Sequence, residues 1–372
     1  MELFSKFLNM KLDDSPSALG IDIGSSAIKI VQIKKKNSQA VLETYGELAL
    51  GPYAGLPVGA SAVLPPDKIA QALIDLMREK EVNITTKKCG LSIPFASSLM
   101  AVIEMPEVSD KQLSVMVPLE ARKYIPVPVS EVMLDWSVIP KSETRPEDDN
   151  AEVKPPTGPA RTDVLIVAIH NETIARYKEI VEKSGLDASF FEIEIFSTMR
   201  AVLDDTLRPV MLMDIGSSTT KLYVVERGIV RASHTINRGS QDITTALSKS
   251  LGIPPEKAEI LKRQLGMSGE DKTVAEVISL TLDFIFAEAN TVLLTFEKKY
   301  NKTISKIVMV GGGSALKGLS AAAKANFKTE VVSANPFSKV ATPAFLENVL
   351  KETGPEFAVA IGLALRRLAE EK

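Results

Sequence analysis

Cysteine occurs once in this chain, at Cys89, and histidine twice, at His170 and His234. One thiol makes no intrachain disulfide, and one thiol with two imidazoles is too few for a Cys/His zinc cage, so the set fits a reducing compartment. Neither sign of charge dominates. The 44 Lys and Arg against 47 Asp and Glu leave a net charge of −3, which removes the electrostatic footprint expected of a nucleic-acid binder. Long apolar runs are missing too: MELFSKFLNMKLDD has no continuous apolar core or small-residue cleavage site, and 274–300 is interrupted by Glu276, Asp283 and Glu288. The chain therefore reads as soluble and cytoplasmic, with no nucleic-acid partner and no membrane span of its own.

What is present points to a globular protein of two parts. The 372 residues exceed what one hydrophobic core usually serves, and 45% hydrophobic with 24% charged residues is ordinary for folded chains. The most informative pattern is an internal echo. Asp22-Ile23-Gly24-Ser25-Ser26-Ala27-Ile28-Lys29 returns as Asp214-Ile215-Gly216-Ser217-Ser218-Thr219-Thr220-Lys221, with six of eight positions identical. Two copies this far apart indicate two related domains, since solenoid repeats recur every 20–50 residues and several times over. Each copy follows an apolar run and precedes a β-rich one, the pattern of strand, tight turn and strand. Lys34-Lys35-Lys36-Asn37 and Glu226-Arg227-Gly228 read as the next hairpin turns, the lysines as a solvated turn and not an anion site.

Between the echoes, 67–81 carries Ile69, Leu73, Ile74 and Met77 at helical spacing, opened by Pro66 and Asp67. From Cys89 the pattern becomes that of a separate α+β module: strands at 89–93 and 98–104, a helix at 109–124, strands at 132–139 and 163–169, and a helix at 171–184. Inside it, 141–162 has four prolines and almost no apolar content, which predicts a mobile loop. After the second echo come helices near 240–250, 255–265 and 273–299, an apolar strand over 304–310, and a final helix at about 356–371. Trp136 shares a strand face with Leu134 and Val138 and reads as core. Leu3, Phe4, Phe7, Leu8 and Leu12 give the first residues an apolar face, read first as a frayed tail and second as a membrane or partner anchor.

A carboxylate at a strand end followed by Gly-Ser-Ser suits phosphate and magnesium chemistry. Gly24 and Gly216 let backbone approach an anion, while N–H and hydroxyl groups of Ser25, Ser26, Ser217, Ser218 and Thr219 donate to phosphate oxygens. Mg²⁺ keeps most of its waters and needs one or two carboxylates, a role for Asp22 and Asp214. One such motif alone reads as an ordinary β-turn; the pair is what a nucleotide clamped between two related domains requires. The third element is Gly311-Gly312-Gly313-Ser314 after the 304–310 strand, where main chain would meet a flat group or a phosphate.

These residues carry a resemblance to the actin-like ATPase superfamily, with its two phosphate hairpins and glycine-rich adenosine loop, over about 19–368. It narrows to the type IV pilus assembly family PilM, relatives of the division protein FtsA, on the segments Glu120-Ala121-Arg122-Lys123-Tyr124-Ile125-Pro126, Glu131-Val132-Met133-Leu134-Asp135-Trp136 and Asp163-Val164-Leu165-Ile166-Val167-Ala168. The resemblance implies a two-lobed α/β fold of duplicated ribonuclease-H-like domains with an FtsA-like inserted α+β subdomain. Its parts would be a tail over 1–16, a first lobe over 17–88, 188–207 and 350–372, the insert over 89–187, and a second lobe over 208–349 with a helical subdomain at about 240–303.

The resemblance also implies ATP and Mg²⁺ as cofactors. Lys29 and Lys221 would belong to the phosphate motifs, and Glu259, Lys262 and Arg263 would lie against ribose and adenine on one helical face. Glu194 would orient the attacking water, with Glu192 a competitor and Ile195 standing where many hydrolytic relatives have proline; turnover would be slow or absent. The implied partner is the short cytoplasmic N-terminal peptide of a PilN-like inner-membrane protein, taken in a groove between the first lobe and the insert and bringing the chain to the inner face of the cytoplasmic membrane. Other pilus assembly proteins and self-association follow as further contacts, and a related type II secretion system as an alternative setting. Two other functions stay open: an FtsA-like filament former, against which stands the end at Glu370-Glu371-Lys372 with no linker and membrane helix, and a small-molecule kinase, for which no aspartate base sits in a recognisable sugar-kinase motif.

Overall fold

The computed structural model describes residues 16–139, 160–204 and 207–370. The tail expected over 1–16, but for Pro16, and most of the loop expected over 141–162 lie outside the described residues. The chain starts with antiparallel strands β1 (Ser17–Ile23), β2 (Ala27–Lys36) and β3 (Gln39–Ala49), then helix α1 (Pro66–Arg78) and strand β4 (Lys88–Ile93). Next come β5 (Ser98–Pro106), α2 (Asp110–Ala121), β6 (Val132–Ile139), β7 (Arg161–His170) and α3 (Asn171–Ser184). β8 (Asp187–Ile193) and α4 (Glu194–Val202) complete the first half.

The second half repeats the plan. Strands β9 (Val210–Ile215), β10 (Thr220–Glu226) and β11 (Ile229–Ile236) lead to helices α5 (Ser240–Leu251), α6 (Pro255–Leu265) and α7 (Lys272–Tyr300). β12 (Lys306–Val310), α8 (Leu319–Asn326), β13 (Glu330–Ser333), α9 (Glu347–Thr353) and α10 (Ala358–Glu370) follow. The two five-stranded sheets have matching orders, β3-β2-β1-β4-β8 and β11-β10-β9-β12-β13. In each, the first two strands are antiparallel and the first and fourth are parallel. The echo is thus the visible trace of a duplicated sheet.

The chain divides into two compact units, residues 1–92 with 181–372, and residues 93–180. The smaller unit has its own sheet, β5-β7-β6, backed by α2 through Ile103, Leu113, Val117, Val164 and Ile166, with Leu134, Trp136 and Val138 packed against that core. In the larger unit, α10 lies so close to β1 that a Cβ on Gly20 would meet Ala360 O at 1.9 Å. It lies equally close to α4, since a Cβ on Gly362 would meet Ser197 O at 1.9 Å.

Helix α7 is long and apolar enough to cross a membrane by length and composition. One of its faces, with Ile278, Leu282, Ile285, Phe286 and Ala289, joins the core of the second sheet with Met211, Leu222 and Ile307. Full burial of such a side chain contributes about 1.5–3 kcal/mol, while Leu280, Phe284 and Leu294 of the same helix stay exposed.

The lysine run is not a turn. Lys34, Lys35 and Lys36 finish β2, and the reversal falls on Asn37 (φ 48°) and Ser38 (φ 64°). A two-residue turn of type I′ needs positive φ at both central positions, which Asn tolerates better than Lys. In the second sheet Arg227 (φ 53°) and Gly228 (φ 76°) make the equivalent turn.

Candidate functional site

The Asp-to-Lys spacing inside each echo is the register of a hairpin. Asp22 stands opposite Lys29 on β1 and β2, and Asp214 opposite Lys221 on β9 and β10. The tips close alike: Gly24 N–H donates to Ala27 C=O at 3.0 Å, and Gly216 N–H to Thr219 C=O at 2.9 Å. The two tips meet. Ser218 Oγ lies 3.4 Å from Ser25 Oγ, and Ser61, from the segment between β3 and α1, brings its Oγ to 3.0 Å from Ser217 Oγ and 3.4 Å from Ser25 Oγ. The first turn of α5 is fixed on the second tip, with Ser240 N–H donating to Gly216 C=O and Gln241 N–H to Ser217 C=O, each at 2.9 Å. The positive end of that helix dipole therefore sits at the hairpin, where an anion is stabilised.

The third motif adjoins the second. Parallel pairing sets Val310 of β12 beside Asp214, so Gly311 (φ 84°) follows directly against the carboxylate; a Cβ there would meet Asp214 Oδ1 at 2.3 Å and Ile215 O at 2.6 Å. Only glycine fits. Gly311 N–H donates to Pro355 C=O at 2.9 Å, Ser314 Oγ to Gly311 C=O at 2.6 Å, and a Cβ on Gly312 would sit 3.5 Å from Glu356 Oε2.

Both aspartates are partly buried, and both share the charges of Lys29, Lys221 and Glu194. Asp22 is raised to about 6, by burial first and by Glu194 second, against the hydrogen bond that Ser92 Oγ donates to Oδ1 at 2.7 Å. Asp214 is likewise raised by burial, with Lys221 opposing. Lys221 Nζ lies 2.6 Å from Glu194 Oε1 and 3.7 Å from Asp214 Oδ2, and these carboxylates lift its ammonium above the ordinary value despite burial. Lys29 Nζ lies 3.2 Å from Glu47 and 3.7 Å from Glu356.

Glu194, the first residue of α4, is thus at the cluster. Glu192 is not: its carboxylate is held by Arg200, Arg366 and Ser197. Among the described residues no three His, Cys, Asp or Glu side chains gather at metal-ligand spacing.

Glu259, Lys262 and Arg263 share one face of α6, and they hold each other. Lys262 Nζ and Arg263 Nε reach Glu259 at 2.6 Å and 2.7 Å, Thr244 Oγ1 donates to Glu259 at 2.6 Å, and the buried Lys262 also donates to Ser240 C=O at 3.1 Å. Arg263 alone of the three keeps an exposed side chain. The segment before α1 touches this group too, since a Cβ on Gly59 would meet Glu259 Oε1 at 3.1 Å. Sequence reasoning missed Ser92, Ser61, Gln241, Thr244 and Glu356. Of these only Ser92, a lone hydroxyl in the apolar strand Cys89–Ile93, carries a local signal.

Two matching sheets with polar hairpin tips converging beside a glycine loop define the actin-like ATPase fold, and MreB5 of Spiroplasma citri bound to ADP shares it at a TM-score of 0.50 and 10% identity, over 96% of this chain and 99% of that one. A family model described as type IV pilus assembly protein PilM matches residues 20–368, and the chain belongs to that family. A solved PilM-PilN type IV pilus biogenesis complex is similar at a TM-score of 0.77 and 25% identity, over 94% of this chain and 98% of that one. The cell division protein FtsA of Neisseria meningitidis serogroup B is 24% identical over 369 residues, 87% of this chain and 86% of its own.

Proposed function

We propose that this chain is a nucleotide-dependent scaffold of type IV pilus assembly that binds Mg-ATP where the two hairpins meet, turns it over slowly or not at all, and binds the N-terminal cytoplasmic peptide of a PilN-like inner-membrane protein. The observation that carries the nucleotide reading is the convergence of Ser25 with Ser217 and Ser218, from two hairpins of matching sequence in two matching sheets. The residues fit the group. Asp22 and Asp214 are partly buried carboxylates raised by desolvation, so a divalent cation nearby would favour their charged form. They would hold hydrated Mg²⁺, with Ser25, Ser217 and Ser218 toward the phosphates and Gly311, Gly312 and Gly313 toward the adenosine. Bound Mg²⁺ would supply neutralisation of phosphate charge.

Slow turnover is supported by the pairing of Glu194 with Lys221, which engages the carboxylate best placed to orient water. The partner is supported by the similarity to the PilM-PilN complex, and with it a station at the inner face of the cytoplasmic membrane. Calorimetric titration of the purified chain with Mg-ATP, and separately with such a peptide, tests the reading. Heat is expected in each, and its absence from both removes the proposal.

Asp214→Ala separates binding from folding. Its raised carboxyl means that the ionised form costs the fold, so the variant is expected to keep or slightly gain thermal stability while losing most Mg-ATP affinity. Equal losses in both would overturn the assignment.

A further inference from the structure

The segment 51–65 between β3 and α1 belongs to no phosphate motif, yet it lies between the two hairpins. Its ends are pinned by the buried Leu50 and Leu64, and its start folds on itself, with Leu56 N–H donating to Gly51 C=O at 2.9 Å. The stretch between crosses from one hairpin to the other. Ala62 N–H donates to Ser25 C=O at 2.8 Å on the first hairpin, while Ser61 N–H donates to Gln241 Oε1 at 3.1 Å on α5. Gly59 C=O accepts from Ser217 Oγ at 3.4 Å on the second hairpin.

Four serine hydroxyls from three segments, Ser25, Ser61, Ser217 and Ser218, therefore point at one another. Each brings an O–H donor, and donation to another hydroxyl, or in the case of Ser217 to Gly59 C=O at 3.4 Å, is weaker than donation to an ionised oxygen. We propose that Ser61 is a further phosphate-binding residue, delivered by a strap over 51–65 that spans the two hairpins and closes on the phosphate chain of a bound nucleotide; this rests on the nucleotide reading above. Gln241 is the positioning residue, since its amide oxygen fixes the Ser61 backbone. The ligand class is a di- or triphosphate, because the hydroxyls gather at the hairpin tips and not at the glycine loop after β12.

The test uses the full chain with two probes. In the first, affinities for Mg-ATP and for adenosine are measured for the parent, Ser61→Ala, Ser61→Thr and Gln241→Ala, by competition against a fluorescent ATP analogue. Loss of a hydrogen bond to an ionised oxygen predicts a fall of about 10- to 150-fold for Mg-ATP in Ser61→Ala, and loss of the neutral bond that pins Ser61 a fall of about 2- to 10-fold in Gln241→Ala. Adenosine affinity is unchanged and Ser61→Thr restores the parent value. The second probe is an environment-sensitive dye on Val63→Cys, a position 95% exposed on the strap. The native Cys89 is buried and its thiol is pushed up to about 12 by desolvation, so the dye goes to position 63.

Mg-ATP is expected to shift the dye emission and adenosine to leave it unmoved. A parent that binds Mg-ATP with a silent dye, or a Ser61→Ala variant weakened equally for adenosine and ATP or not at all, overturns the strap and leaves the nucleotide reading standing. A parent that binds no Mg-ATP removes both.

Discussion

Two glutamates two positions apart take opposite parts, and their partners decide which. Glu192, one residue before the end of β8, faces Arg200 Nη1 and Nη2, each at 2.8 Å, and Arg366 Nη1 at 2.8 Å, with Ser197 Oγ donating as well. Arg366 in turn stacks on Phe190, its Cζ 3.9 Å from the ring centroid, which orders the guanidinium that reaches Glu192 from α10. Burial opposes the ionised form, but the hydrogen bonds win and hold Glu192 below the ordinary carboxylate value. A folded value below the unfolded one contributes stability above the unfolded value, and that stability is lost as pH falls through the folded one. Between pH 7 and the acid side of the normal glutamate range, the parent is therefore expected to lose denaturant midpoint more steeply than Glu192→Gln, which keeps its shape and lacks the charge. At pH 7 the variant is expected to be weaker by about 1.5–3 kcal/mol, the worth of a charged hydrogen bond. Parallel midpoint-against-pH curves for the two proteins would exclude this role.

At the scale of elements, the tightest junction is α10 between β1 and α4. Gly20 and Gly362 are there because backbone atoms occupy the space a methyl group would need. Gly20→Ala or Gly362→Ala must push α10 off its neighbour, at a cost of about 1–3 kcal/mol or more by overpacking. Because Gly311 binds Pro355 just before α10, Gly20→Ala is also expected to weaken Mg-ATP binding. The two hairpins were legible beforehand for a local reason: in an antiparallel pair with a short tip the distance from Asp22 to Lys29 is set by register alone, so a repeated spacing is a repeated hairpin. Sheet order was not, because β4 joins β1, β8 joins β4 and β12 joins β9 across connections that run through other strands and helices and leave no periodicity. The short β13 and the strand-to-helix junction at Ile193 went unread for the same reason. So did the strap, since Ser61 and Gln241 are ordinary polar residues until two hairpins are brought together. The charged trio on α6 was read as sharing one face, but its mutual pairing depends on Thr244 and Ser240 from another helix.

At the scale of the molecule, the two compact units have separate cores and are expected to unfold as separate cooperative steps. Residues 93–180 hold Ile103, Leu113, Val117, Val164 and Ile166 in one cluster, while the larger unit is filled by the clusters around α7 and α10. A domain of 60–100 residues shifts its midpoint by about 4–8 °C per kcal/mol. Leu113→Ala empties a buried position in the smaller unit and should cost about 2–5 kcal/mol, which places its transition some 10 °C or more lower in a calorimetric scan. Because both hairpins, the glycine loop and the strap belong to the larger unit, Mg-ATP should raise only the transition that Leu113→Ala leaves alone. Phe286→Ala, on the buried face of α7, should do the converse, lowering the ATP-responsive step and sparing the other. A single transition displaced by either substitution and by nucleotide alike would mean that the two cores melt as one.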